Sequence, residues 1–162
     1  MPNFINSAQE SPSLNKKFVH GHIALGAAYI RNGEYENALE VLNCAVLIDS
    51  KEADAHYYIG IASLAMKEFN NAEKSLQYAI SLKPDSLQIQ YSLGLVLIKC
   101  GKNESACASF HETVRIKPDF AEVHRHLVAI KKYTEDDDQI LQVQELYQRE
   151  DLSADAKSSL CF

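Results

Sequence analysis

Nowhere does this sequence run to the roughly 18 consecutive apolar residues that a membrane-spanning helix needs, so no span is expected. It also lacks a basic run longer than a pair, and its 16 Lys and Arg are outnumbered by 22 Asp and Glu, for a net charge of −6. A general nucleic-acid binder needs a basic face that displaces counterions, and this balance argues against one. The N-terminus, MPNFINSAQESPS, has no basic start followed by an apolar run, which makes it a poor secretion signal. Cysteine is sparse: Cys44, Cys100, Cys107 and Cys161 form no C-x-x-C pair, so reduced thiols in a cytoplasmic protein are expected. Glycine is sparse too, at six residues, and no G-x-x-x-x-G-K or G-x-G-x-x-G is present to cradle a phosphate. No Cys–His pair suggests a nucleophile and no Ser sits beside an obvious base. The chain is therefore read as having no catalytic residues, cofactor or metal of its own.

What the sequence does contain is periodicity. It is 46% apolar and 23% charged, a folded composition, and its 162 residues suit one domain or a short repeat array. Slid against itself by 34 residues, it matches repeatedly. Gly26, Gly60 and Gly94 align, as do Ala38, Ala72 and Ala106. Leu25, Ile59, Leu93 and Leu127 make one apolar column, and Leu42, Leu76 and Phe110 another. Pro84 and Pro118 align within LKPDS and IKPDF. These matches define repeats at 19–52, 53–86, 87–120 and a divergent one at 121–150, after an N-terminal extension (1–18, partly disordered) and before the start of a truncated or capping helix at 151–162.

Each repeat carries two helical patterns around a short turn; in the second repeat the spacing predicts helices at about 53–65 and 69–82. Asn32-Gly33 and Cys100-Gly101 supply a glycine able to take the left-handed conformation that ends a helix. The prolines then stop the second helix. Gly in mid-helix costs about 1 kcal/mol relative to Ala, so its return at one register points to a close approach by the paired helix, with Ala38, Ala72 and Ala106 expected to face the contact.

The stretch LGAAYIRNGEYENALEVLNCA (25–45), with its Leu-Gly, Tyr29, Gly33, Tyr35, Ala38 and Ala45, resembles the tetratricopeptide repeat. The resemblance covers about 19–133 and implies an all-α, right-handed superhelical solenoid of helix-turn-helix repeats. One such repeat cannot bury its apolar face alone, so repeats stack. The fourth departs from the pattern, with TEDDD (134–138) at its turn and Ile140 at the usual small position. Beyond it, in the helix start at 151–162, apolar Leu152, Leu160 and Phe162 have no following helix to cover them, which suggests weak self-association through that end. Residues 120–162 also resemble the segment that joins repeats to a sulfotransferase domain in bacterial proteins, on HRHL, KKYTEDDDQI and the LSADAK turn. That likeness implies an alternative role as the repeat arm of such an enzyme.

His22, His56 and His124 share a register, with Gln90 between them. A metal ladder is disfavoured, because neighbouring helices lie about 8–10 Å apart whereas zinc holds each nitrogen at about 2.1 Å. Packing between helices is expected instead. The acidic run Glu135–Asp138 lacks the ligand spacing of a calcium loop and reads as a solvated turn.

In this repeat class the first helices line the concave face. Helical projection gives Ile23 from the first repeat; Asp54, Tyr57 and Ile61 from the second; Gln88, Tyr91 and Leu95 from the third; and Arg125 from the fourth. Such a surface suits a peptide or an amphipathic helix, with Tyr57 and Tyr91 as anchors because Tyr gives contact area at low entropy cost. A protein or peptide partner is expected, with no nucleic acid and no membrane. The carboxylate clamp of chaperone-binding members is missing, since its places fall on Ile23, Ala27, Tyr58, Gln88 and Ser92. The Asn ladder of the sugar-transferase repeats is missing too, its places falling on Ala24, Tyr58, Ser92 and His126.

Overall fold

A computed structural model describes residues 12–130, together with Glu145 and Gln148. The described residues form seven helices and no strand: α1 (Pro12–Asn32), α2 (Tyr35–Ile48), α3 (Ala53–Ala65), α4 (Phe69–Leu82), α5 (Leu87–Lys99), α6 (Asn103–Ile116) and α7 (Ala121–Ile130). They fall into two compact units, one ending at Pro84 and one starting at Asp85. The first holds α1–α4 as two helix pairs; the second holds the pair α5–α6, followed by α7. Apart from Glu145 and Gln148, the second helix of the fourth repeat lies outside the described residues, as do the acidic run Glu135–Asp138 and residues 151–162. α1 begins at Pro12, inside the stretch assigned to an extension. Lys16 and Lys17 are good helix formers, and Val19, 2% exposed, fixes that turn in the core.

The turn within each pair is closed the same way. Gly33 (φ +80°), Lys67 (φ +63°) and Gly101 (φ +73°) all sit in the left-handed region, spaced by the repeat. In the first, the Glu34 N–H donates to the Tyr29 carbonyl at 2.9 Å and the Gly33 N–H to Ile30 at 3.0 Å. The same pair of bonds recurs as Glu68 to Ser63 and Lys67 to Leu64, and as Lys102 to Leu97 and Gly101 to Ile98. This doubly bonded ending satisfies carbonyls that a helix end otherwise leaves without partners.

The mid-helix glycines are close-approach points, as their recurrence predicts, and the nearest atoms belong mainly to a bulky residue of the paired helix. A Cβ built on Gly26 would lie 2.6 Å from Leu42 Cγ, and one on Gly60 2.6 Å from Leu76 Cγ. At Gly94 it would run into the Phe110 ring. The side chain over each glycine is therefore one helical turn beyond the repeated alanine. Ala38, Ala72 and Ala106 are fully buried, and the Ala72 carbonyl lies 3.4 Å from a Cβ built on Gly60. Recurrence reports that two helices approach; it does not report which residue stands opposite.

In the first unit, Val19, Ile23, Ala38, Leu42, Ala45 and Ala55 form a buried cluster, with Tyr58 and Ile59 of α3 packed against it. The aligned histidines mostly hold the turns between repeats. His56 Nε2–H donates to the Ser50 carbonyl at 2.9 Å and His124 Nε2–H to the Pro118 carbonyl at 2.7 Å, six residues back in each case. His22 differs, bonding through Nδ1–H to the Phe18 carbonyl of its own helix at 2.7 Å.

Candidate functional site

The candidate face in the first unit rests on α3. Asp54 opens that helix, half-exposed, in an ion pair with Lys83 at 2.8 Å. Such a surface pair is worth about 0–1 kcal/mol, so it orients the carboxylate more than it stabilises the fold. One turn on, Tyr57 is half-buried, its ring edge-on to Tyr58 with centroids 5.0 Å apart. Ile61, another turn on, is also half-buried. Ile23 stands at the Tyr57 register in α1 but is only 9% exposed and belongs to the core cluster. An aliphatic side chain at a boundary register turns inward, whereas Tyr carries a hydroxyl that favours water. Ile23 is therefore a core residue and not part of a ligand face.

The candidate face in the second unit is built around Tyr91. Its ring packs 5.0 Å from Phe120 and 6.1 Å from both Phe110 and His126, and Phe110 stacks on His126 at 5.3 Å with the rings 10° from parallel. The Tyr91 hydroxyl donates to Glu122 at 3.3 Å. Burial, then the charge and hydrogen bond of Glu122, push that hydroxyl up to about 12 against an opposing pull from Arg125. Tyr91 is thus a protonated donor throughout the physiological range. Gln88 and Arg125 are exposed and Leu95 half-buried. Burial, followed by the Arg125 charge, lowers the His126 imidazole below its usual range, and Glu122 opposes this. The ring behind Tyr91 is accordingly neutral at neutral pH.

Phe120 is the member of this face that sequence reading did not single out. The signal was there in the repeat: Phe120 takes the place of Ser86, at the end of IKPDF where the previous repeat has LKPDS. Lys117 lies 5.6 Å from the Phe120 ring centroid, a cation–π contact. Its counterpart Lys83 pairs with Asp54; the residue one repeat after Asp54 is Gln88, which offers no charge. Among the described residues, no group of three or more His, Cys, Asp or Glu is placed to hold a metal ion, and no helix is long and apolar enough to cross a membrane.

The fold is that of a helix-turn-helix repeat protein. Residues 26–67 match a family model described as TPR repeat, and residues 87–120 match one described as tetratricopeptide repeat. The chain thus carries tetratricopeptide repeats. No curated protein matches it. Among solved structures it is similar to MamA, at 25% identity and a TM-score of 0.65 over 88% of this chain and 71% of that one. It is similar to a Thermobaculum terrenum O-GlcNAc transferase mutant, at 18% identity and a TM-score of 0.70, over 82% of this chain but 26% of the transferase. A third likeness is to the second TPR domain of human RPAP3, in complex with the HSP70 peptide SGPTIEEVD, at 22% identity and a TM-score of 0.69 over 74% and 99%.

Proposed function

We propose that this protein is a non-catalytic interaction scaffold whose first-helix faces bind a peptide or helix of a partner protein. The observation that carries the reading is the pair Tyr57 and Tyr91. Each is half-buried on a first helix at the same repeat register, with an aromatic ring behind it. A rigid, supported ring flanked by exposed polar groups is the usual form of an interface anchor. Around them stand Asp54 and Ile61 on one unit and Gln88, Leu95 and Arg125 on the other. A TPR domain of similar fold holds a peptide in RPAP3, which supports the class of ligand and not its sequence. Scaffold action in the cytoplasm is the wider form of this reading. The alternative, an arm of a sulfotransferase-type enzyme, has only the resemblance of residues 120–162 behind it.

A random-peptide display selection on the whole chain tests the proposal. Enriched peptides are expected to lose more than about 2 kcal/mol of affinity on Tyr57→Ala or on Arg125→Glu, the size of a hot-spot effect, while circular dichroism stays helical. Peptides that bind both variants as tightly as the original protein would place recognition elsewhere.

A further inference from the structure

The lysine that ends the second helix of a repeat has two fates in this molecule. Lys83, the C-cap residue of α4, reaches back to the first turn of α3, where its Nζ lies 2.8 Å from Asp54 Oδ1. Lys117 caps α6 at the same register one repeat on, but the residue in the place of Asp54 is Gln88. Among the described residues Lys117 makes no ion pair. Its contact is with the Phe120 ring, 5.6 Å from the centroid. That ring is new to this repeat, since Ser86 takes its place one repeat earlier. An aromatic face holds an ammonium without neutralising it, so the whole charge of exposed Lys117 is left for a ligand.

The nearby acids do not supply the missing carboxylate. Glu122 accepts the Tyr91 hydroxyl at 3.3 Å. Asp119 stands at the register of Asp85, whose carboxylate pairs with Arg115 of α6 and not with a lysine. A second cation, Arg125, is exposed and also makes no ion pair among the described residues. Its charge acts on Tyr91 and on His126, against that of Glu122 at both. Phe120 packs on Tyr91 with ring centroids 5.0 Å apart, and Tyr91 on His126 at 6.1 Å. Lys117 and Arg125 therefore border one aromatic cluster.

We infer that the partner segment taken by the second unit is acidic: an Asp or Glu side chain of that segment pairs with Lys117 and completes there the ion pair that Asp54 gives Lys83, while Arg125 draws a second carboxylate. This rests on the reading of Tyr91 as a peptide anchor and adds the chemistry of the peptide. Half-buried Tyr91, Leu95 and Phe120 supply the apolar contact, so the segment carries its acids beside an aromatic or aliphatic residue. The face of the first unit makes no such demand, because Lys83 already has its carboxylate.

The probe is a displayed library of random peptides fused through their C-termini, so that only side-chain carboxylates are offered, selected on the full chain. Binders weakened by Tyr91→Leu are remade as labelled C-terminal amides and titrated by fluorescence anisotropy. They are expected to be richer in Asp and Glu than the library, and to bind less tightly as salt rises. Lys117→Gln should weaken them about threefold to fivefold, the size of one surface ion pair, and Lys117→Gln with Arg125→Gln at least about tenfold. Gln88→Asp should weaken them about as much as Lys117→Gln, because it gives the lysine a carboxylate from its own chain. Lys117, Gln88 and Arg125 are exposed, so melting curves should stay close to that of the unaltered protein. Peptides that depend on Tyr57 alone should ignore all these changes. Binders on the Tyr91 face that are no richer in acids than the library, or acidic binders indifferent to both Lys117→Gln and Gln88→Asp, would overturn this inference and leave the scaffold reading standing. A selection without binders, or with binders indifferent to both tyrosines, would overturn the two together.

Discussion

The two units solve one packing problem with different side chains. In the first, aliphatic Leu42 and Leu76 sit over Gly26 and Gly60. In the second, Phe110 sits over Gly94, and its ring is held on other sides by Tyr91 and His126. The outer faces of the second helices differ as well. α2 and α4 expose Leu47, Ile48 and Tyr78, while at the matching stretch of α6 Arg115 pairs with Glu112 at 2.7 Å and with Asp85 at 2.8 Å. The repeat thus specifies where space is withheld and where helices turn. It leaves open which chemistry fills the remaining volume, and this freedom lets one unit build an aromatic cluster.

The largest expected difference lies at the glycines. Gly94→Ala drives a methyl into a flat ring that is fully buried and stacked, whereas Gly60→Ala meets Leu76, whose side chain has rotamers to try. Overpacking costs typically 1–3 kcal/mol, and the better helix propensity of Ala returns about 1. Gly94→Ala should therefore lose about 2 kcal/mol net and Gly60→Ala about 1, read from urea unfolding midpoints. Equal losses would show that the Phe110 ring is no more constrained than a leucine. Exchanging the filler is the next test: Phe110→Leu should cost about 1–2 kcal/mol through the void it leaves, and adding Gly94→Ala to it should cost less than in the original protein, because the methyl then has room.

Acid should separate the units. Burial lowers the His124 imidazole below its ordinary value, the His111 charge adds to this, and the bond to the Pro118 carbonyl opposes it. The folded state therefore takes up its proton later than the unfolded chain does. The stability that follows is complete above the ordinary value of about 6.5 and is lost as pH falls through the lower folded value. Hydrogen exchange, corrected for intrinsic rates, should show α5–α7 opening more readily at pH 5 than at pH 7, with α1–α4 changing less. His124→Gln, which copies the residue found at Gln90, should blunt that response.

The smallest effect is expected at the turn of the second pair. Lys67 holds the left-handed conformation that Gly33 and Gly101 hold in theirs. A non-glycine residue pays about 1 kcal/mol for it, so Lys67→Gly should raise stability by about 0.5 kcal/mol once the greater freedom of the unfolded chain is subtracted. A lower melting temperature would show that the lysine side chain supplies more than its backbone costs.

Much of this fold was legible because its geometry repeats. The 34-residue columns mark helix pairs, close approaches and turns, and the helices of the second pair run over the expected Ala53–Ala65 and Phe69–Leu82. Three things were hidden, each for a physical reason. Lys67 carries no mark of its left-handed backbone, because the hydrogen bonds that impose it come from main-chain atoms. The partner of each glycine depends on the axial stagger of two helices, which recurrence does not encode. Ile23 lies on the boundary between core and surface, where burial is decided by side-chain chemistry and not by helical phase. The His56 and His124 bonds to turn carbonyls were half visible: the shared register showed, but the acceptor six residues back did not.

The glycine and the bulky residue above it always lie sixteen positions apart within one repeat, as Gly26 and Leu42, Gly60 and Leu76, Gly94 and Phe110. Lock and key are thus inherited together. A duplication or crossover at the boundary between repeats carries both members and leaves each contact intact, however different the fillers in neighbouring copies. A crossover inside a repeat, between the glycine and its filler, would join a platform to a key cut for another, and a leucine-shaped gap would have to admit a phenylalanine. As far as this contact goes, rearrangement is tolerated at the helix-to-helix joints before and after each pair and penalised at the joint within one.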